Sequence, residues 1–281
     1  MKISTFKKFG ALNSKPVFEA FEKSLRDAGH TVVDGDMSAD VAVIWSVLWN
    51  GRMSANKTVW DTFRKSNRNV IVLEIGGIKR GTTWKVGLNG VNRSGYFGPL
   101  GNGSDRSVSL GLQIKPWRTD GEYILICGQH EKSLQWEGMP RMSQWIMNTI
   151  EQLQIHYDYP IIFRPHPRCR LENIERQYKN VYRQEPKRLA NTYDDYDMSF
   201  DNIKFTVSWS SNPGIHSILN GVPAFTSPYS LAFDVACPHL LMVDTPHMPD
   251  RQQWLNDYAW TEFTIEEIRN GLPLKRLTDK M

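Results

Sequence analysis

Residues 205–226, FTVSWSSNPGIHSILNGVPAFT, constrain this chain more than any other stretch, because they read as strand, tight turn, helix and strand with almost no slack. The β-branched and aromatic run 205–209 suits a buried parallel strand. Ser210, Ser211 and Asn212 all favour a helix N-cap, Pro213 fits the first helical turn, and Gly221 stands where a left-handed C-terminal cap is expected. A helix launched in this way points backbone N–H groups and its positive dipole end at the mouth of the sheet, where a diphosphate is held. Most strand-to-helix turns bind nothing, so this one counts as a site only if other strand ends converge on it.

The rest of the chain repeats the same alternation. In the first half, residues 1–6, 31–33, 41–47 and 70–74 read as strands, and 16–29 and 57–66 as helices. Alternating β and α elements predict a parallel sheet covered on both faces. Residues 95–121 carry six glycines and two prolines with little periodicity and read as a loop and interdomain linker. After it come a strand at 123–127, a helix at 141–154, a strand at 160–163, a helix near 171–178 and, past the opening stretch, a strand at 240–243. This predicts an α/β protein of two βαβ assemblies, a domain over 1–118 and another over 119–249, with a tail over 250–281. The tail reads as two short helices whose Trp254, Leu255, Tyr258 and Trp260 pack back on the body.

Composition excludes several classes. At 281 residues and 40% hydrophobic content the chain suits a soluble globular protein of two compact domains or one large one. It has no run of about 18 apolar residues and no apolar stretch near its first residues, so the expectation is a cytoplasmic protein without membrane contact. Cys127, Cys169 and Cys237 have no paired spacing, which fits reduced thiols rather than disulfides or zinc. The net charge of +4 is uneven: residues 1–118 hold 18 Lys and Arg against 9 Asp and Glu, and the remainder 16 against 21. A polyanionic partner would therefore meet the N-terminal part, although a solvated lysine surface explains the same imbalance.

Polar residues cluster at the predicted strand ends. Gly128, Gln129 and His130 follow the 123–127 strand, and Arg164-Pro165-His166-Pro167 follows the 160–163 strand. Both should arrive beside the turn at Ser210–Asn212. Arg164 can clamp a diphosphate with its guanidinium fork, and His166 can hydrogen-bond or neutralise a leaving phosphate. In the first half, Glu74 ends a strand and is the candidate general base, with local capping or ion pairing as the alternative. Lys79, Arg80 and Trp84 beside it, and Trp45, Trp49 and Arg52 before it, pair aromatics with basic groups, as acceptor binding or ordinary core packing would. No acidic pair has a metal-binding context; Asp194-Asp195 lies in a tyrosine-rich segment that reads as a solvated loop.

The order GQ, R-P-H-P and S-S-x-x-G, at residues 128–129, 164–167 and 210–214, resembles the nucleotide-sugar domain of GT-B glycosyltransferases. It looks closest to the capsule-polysaccharide type and to phage-encoded relatives that glycosylate modified DNA bases. The resemblance spans roughly residues 123–230 and implies two Rossmann-like domains facing across a cleft, with a C-terminal helix crossing back. It further implies that His166, Ser210 and Ser211 contact the donor's phosphates and that Gly128 and Gln129 line the donor cleft. At the position where that family has a Glu, this chain has His216, and its Lys is replaced by Arg164.

The expectation is thus glycosyl transfer without metal or bound cofactor, from a nucleotide sugar such as a UDP-sugar. Its diphosphate would lie on the helix start formed by Ser210, Ser211, Asn212 and Gly214, beside Arg164 and His166, with His216 in the same turn-and-helix segment. Glu74 would act as base, and Trp49, Arg52, Arg80 and Trp84 would hold the acceptor. The first-choice acceptor is a hydroxymethylated base in double-stranded phage DNA, bound through the basic N-terminal domain in a host cytoplasm. Alternatives are a surface-polysaccharide transferase, a sugar-nucleotide epimerase, and a non-catalytic nucleic-acid-binding module on a GT-B shell.

Overall fold

The computed structural model describes residues 1–190 and 195–281. In chain order the elements are β1 (Lys2–Thr5), α1 (Lys15–Asp27), β2 (Thr31–Asp34), β3 (Val41–Trp45), α2 (Asn56–Lys65), β4 (Asn69–Ile75), β5 (Thr83–Leu88) and α3 (Asp105–Ser109). There follow β6 (Tyr123–Cys127), α4 (Met142–His156), β7 (Ile161–Arg164), β8 (Val181–Arg183), β9 (Ile203–Ser208), α5 (Asn212–Leu219) and β10 (Ala224–Phe225). The chain ends with α6 (Gln252–Tyr258), β11 (Glu262–Thr264), α7 (Ile265–Arg269) and α8 (Leu272–Leu277). Asp194, half of the acidic pair in the tyrosine-rich segment, lies outside the described residues.

The chain divides into two compact units. The first holds residues 1–110, 132–134 and 256–281, and the second holds 111–131 and 135–255. Two α/β units with parallel-stranded sheets are the layout the GT-B resemblance implies. Among the described residues no helix is long and apolar enough to cross a membrane.

The first unit carries a six-stranded sheet in the order β11-β5-β4-β3-β1-β2, with β1 to β4 mutually parallel. Helix α1 lays Val17, Phe18, Phe21 and Leu25 on one face of it, and α2 contributes Val59 and Phe63 to the other. Strand β5 lies in the glycine-rich run 74–90 after β4, where no strand was expected. Its residues are all buried, it runs antiparallel to β4, and it contains Gly87 because a Cβ there would lie 2.2 Å from the Gly90 carbonyl oxygen. A glycine required for close backbone approach therefore masked the strand in the sequence. The tail holds a strand as well as helices: β11 extends the sheet antiparallel to β5. Arg106 in the supposed linker ties that tail down, donating to the Ala259 and Glu262 carbonyls and pairing with Glu267 at 2.7 Å.

The second unit has a wholly parallel five-stranded sheet, order β10-β9-β6-β7-β8. Its main core packs Ile124, Ile126, Phe163, Phe205 and Val207 against Met142, Ile146, Ile150 and Leu153 of α4. Two expectations are corrected here. Residues 171–178 form only a short 3-10 turn, Ile174–Gln177, and residues 240–243 form no strand. Leu240, Met242 and Val243 join the core from an irregular segment, while Cys237 meets the β10 edge through a single bridge to Phe225. Burial of a short apolar run does not require a ladder.

Candidate functional site

The strand order places the candidate site within the second unit. From β6 the chain moves outward through β7 and β8, then returns to the other side of β6 with β9 and β10. The sheet thus reverses its winding between β6 and β9, and the crevice outside their carboxyl ends is where open α/β sheets bind ligands. The last rung aligns Cys127 with Arg164 on one side and with Ser208 on the other. The loops that begin at Gly128, Pro165 and Trp209 therefore leave the sheet side by side.

Ser210 and Gln129 link the two loops at the switch point. The backbone N–H and the hydroxyl of Ser210 both donate to Gln129 Oε1, each at 3.0 Å, and both residues are buried. Gly128 continues the ladder past the strand ends by donating to the Arg164 carbonyl at 2.9 Å, and a Cβ there would press to 3.3 Å on the His166 nitrogen. Ser211 is the N-cap residue of α5, with extended backbone, but its hydroxyl lies 3.0 Å from Ser208 Oγ and does not cap. Asn212 and Pro213 begin the helix, and proline has no N–H to satisfy. Gly214 lets the first turn sit against the sheet, since a Cβ would meet Thr226 Cγ2 at 3.0 Å and Ser208 Cβ at 3.1 Å. His216 is half-buried one turn into the helix, and its carbonyl accepts from Asn220 at 2.8 Å.

Arg164 does not present the open fork expected of it. Only 8% exposed, it donates through Nε and Nη2 to Gln184 Oε1 at 3.0 and 2.6 Å, and through Nη2 to the Ser199 carbonyl at 3.0 Å. Its Nη1 is buried without a partner. Burial pushes the neighbouring Cys127 thiol up to about 11, with Arg164 opposing, so this thiol stays protonated at neutral pH. His166 is half-buried and accepts the Arg168 N–H on Nδ1 at 3.1 Å, which leaves Nε2 to carry the proton of the neutral ring. Its ring stands edge-on to that of His130, with centroids 5.5 Å apart.

The first unit holds the other candidates. Glu74, half-buried near the carboxyl end of β4, accepts the Ile75 N–H at 2.9 Å. On its rung of the sheet Glu74 lies opposite Lys85, and Lys85 lies opposite Glu262, so three charged residues line up across three strands. Burial lowers the Lys85 ammonium from the ordinary lysine range; Glu262 and then Glu74 oppose that fall, and Arg80 adds to it. Glu262 is fully buried and accepts from the Gly77 and Ile78 N–H groups and the Thr83 hydroxyl at 2.7 to 2.9 Å, fixing the loop that carries Lys79 and Arg80. Trp45, Trp49 and Trp84 are all buried in this unit's cores and serve as packing rather than as open walls. Arg52 is exposed, in a short turn that follows β3. Among the described residues no group of three or more His, Cys, Asp or Glu is placed to hold a metal ion.

No family model matches the chain, and no curated protein matches it. Two solved structures are similar to it across nearly its full length. One is Thermosulfurimonas dismutans KpsC, beta Kdo 2,7 transferase, at 13% identity and a TM-score of 0.47, covering 98% of this chain and 100% of that one. The other is Thermosulfurimonas dismutans KpsC, beta Kdo 2,4 transferase, at 12% identity and a TM-score of 0.49, covering 97% of this chain and 98% of that one.

Sequence reasoning missed three features of the site. Ser208 faces Ser211, Gln184 binds Arg164, and Arg251 donates to the Ile218 carbonyl at the far end of α5 while stacking 3.6 Å over Trp117. Only Ser208 had a visible signal, since it ends the strand that leads into the turn. Gln184 and Arg251 lie 20 and 33 residues from their partners, where no local pattern connects them.

Proposed function

We propose that this protein transfers a glycosyl group from a nucleotide sugar to a hydroxyl of an acidic saccharide, with the donor held at the carboxyl edge of the second unit's sheet. The observation that carries this reading is the Gln129–Ser210 pair, which joins two strand-end loops at the switch point immediately before the N-terminus of an eight-residue helix. That helix end, with Ser211 and Asn212 at its start and Gly214 seating it on the sheet, suits a diphosphate. The acceptor oxygen attacks the anomeric carbon, the bond from that carbon to the phosphate oxygen breaks, and the nucleotide leaves with its charge stabilised by the helix start and by His166 Nε2. Glu74 is the proposed base that takes the acceptor's proton. Arg164 acts from behind, holding the strand-end loop through Gln184 and Ser199.

The saccharide is preferred over a DNA base because the tryptophans that would wall a flipped base are buried among core side chains. An anionic acceptor suits the first unit, in which Lys and Arg outnumber Asp and Glu by 21 to 14, against 13 to 16 in the second. The test has two stages. A thermal-shift panel of UDP, GDP and CMP compounds should show stabilisation by at least one, and the matching sugar nucleotide should then add mass to an acidic oligosaccharide. Mass gain on hydroxymethylated DNA instead would reverse the acceptor assignment, and no shift with any nucleotide would end the transferase reading.

A further inference from the structure

The two loops at the switch point also carry aromatic rings that phosphate binding does not use. Trp209, the residue before Ser210, donates Nε1 to the Gln135 carbonyl at 3.0 Å. Trp136 stands edge-on to it with centroids 5.7 Å apart, and Trp145, early in α4, is edge-on to both at 5.6 and 6.4 Å. Tyr229, beyond β10, leans on Trp209 at 6.3 Å with the planes 42° apart. Trp136 is 3% exposed, Trp145 and Trp209 are half-buried, and Tyr229 is 48% exposed. The cluster thus runs from core to solvent along the edge that holds the Gln129–Ser210 pair. Core packing accounts for Trp136, but it does not account for a tyrosine ring leaning on a tryptophan with half its surface in water.

Gln135 provides a second, independent observation. The residue is only 7% exposed, and its side-chain Nε2 is buried without a hydrogen-bond partner. A buried donor left unmade costs stability, and native structures keep few of them without a functional reason. Its carbonyl already holds Trp209, so the unused donor and the ring cluster belong to one local arrangement.

We infer that Trp209, Tyr229 and Gln135 form a subsite for the base of the nucleotide, in which the rings stack on the base and Gln135 donates to an acceptor on its edge. The base stacks on the exposed aromatic edge, a ring carbonyl oxygen or ring nitrogen accepts from Gln135 Nε2, and the phosphates run toward Ser210 and the start of α5. This rests on the reading of that edge as a nucleotide-sugar site. Recognition of base and phosphate then falls to consecutive residues, Trp209 and Ser210. Stacking of this kind tolerates any base, and the glutamine adds one directed hydrogen bond to it.

Calorimetric titration of the full chain with UDP, CMP, GDP, ADP and pyrophosphate tests this, with intrinsic tryptophan fluorescence followed in parallel. Wild type should bind at least one of the four nucleotides more tightly than pyrophosphate and show quenching on binding. Tyr229→Ala, at an exposed position, should weaken that nucleotide about tenfold. Gln135→Leu should weaken it as well, while pyrophosphate binding stays unchanged in both variants. If nucleotide affinity is unchanged in both variants, the base subsite is wrong and the donor site stands. Parallel loss of nucleotide and pyrophosphate makes the cluster structural support and also overturns the inference. If wild type binds neither UDP, CMP, GDP nor pyrophosphate, both this inference and the transferase reading fall.

Discussion

Ser210 donates both its backbone N–H and its hydroxyl to a single oxygen, Gln129 Oε1, at 3.0 Å each. The strand-end loop after β6 is thereby locked to the turn that launches α5. Two donors on one acceptor make the arrangement asymmetric, and that asymmetry can be measured.

Gln129→Leu strands two buried donors, whereas Ser210→Ala removes one donor and leaves the acceptor still paired with the backbone N–H. An unmade buried group costs about 1–3 kcal/mol and a typical lost hydrogen bond about 1 kcal/mol. Urea unfolding should therefore show Gln129→Leu to be the more destabilising of the two. Equal midpoints would mean that the pair is not buried in solution.

Gly221 and Gly138 offer a controlled comparison. Both have left-handed backbone, at φ +76 and +78°, but a Cβ on Gly221 would lie 2.0 Å from the Pro116 carbonyl oxygen, while one on Gly138 meets nothing within 4 Å. Gly138→Ala should cost about 1 kcal/mol of backbone strain. Gly221→Ala should cost a further ~1–3 kcal/mol, because backbone must move. Thermal unfolding of the two variants reads the difference directly.

The elements legible in the sequence were those whose period and caps are local. The strand, turn, helix and strand of residues 205–226 appear as β9, α5 and β10, with Gly221 in the left-handed conformation its position after the helix suggests. Strand β5 was hidden because Gly87 is needed for close packing, and β11 because three residues give no period. At the candidate site, residue types at strand ends singled out Gln129, Ser210 and His166, but not what they bond. Arg164 shows the limit: its charge suggested a phosphate clamp, while Gln184 and Ser199 engage its Nε and Nη2. Pairings across such separations are set by topology, which a single sequence does not display.

Acid should destabilise the first unit through two carboxylates. Burial raises the Glu22 carboxyl, but its bonds from Lys7, Thr5 and Arg26 outweigh that and hold it below the ordinary value of 4.5. Glu267 behaves likewise, burial being outweighed chiefly by Arg106 and by Thr264. A carboxyl lowered by folding contributes stability that is complete above its unfolded value and is lost as pH falls through the folded one. Stability should therefore hold from neutral pH down to about 5 and fall progressively below about 4.5. Glu22→Gln and Glu267→Gln should each flatten that acid limb in urea titrations run at stepped pH.

The Glu74–Lys85–Glu262 rung yields the last prediction. Glu262 is fully buried, accepts two hydrogen bonds from the loop after β4 and one from Thr83 at the start of β5, and lies opposite a buried lysine. Removing one member of a buried charged set leaves the others uncompensated, at a cost of about 3–5 kcal/mol, whereas replacing both members by apolar residues of similar volume is often far milder. Glu262→Ala should accordingly unfold at much lower denaturant than wild type, and adding Lys85→Met should recover part of the loss. The Gly77 and Ile78 N–H groups lose their Glu262 acceptor in both variants, so recovery should be incomplete. If Lys85→Met recovers nothing, the loop hydrogen bonds rather than the ammonium set the value of Glu262. Glu74→Gln, which keeps an oxygen for the Ile75 N–H, should leave stability near wild type while lowering transfer if Glu74 is the base.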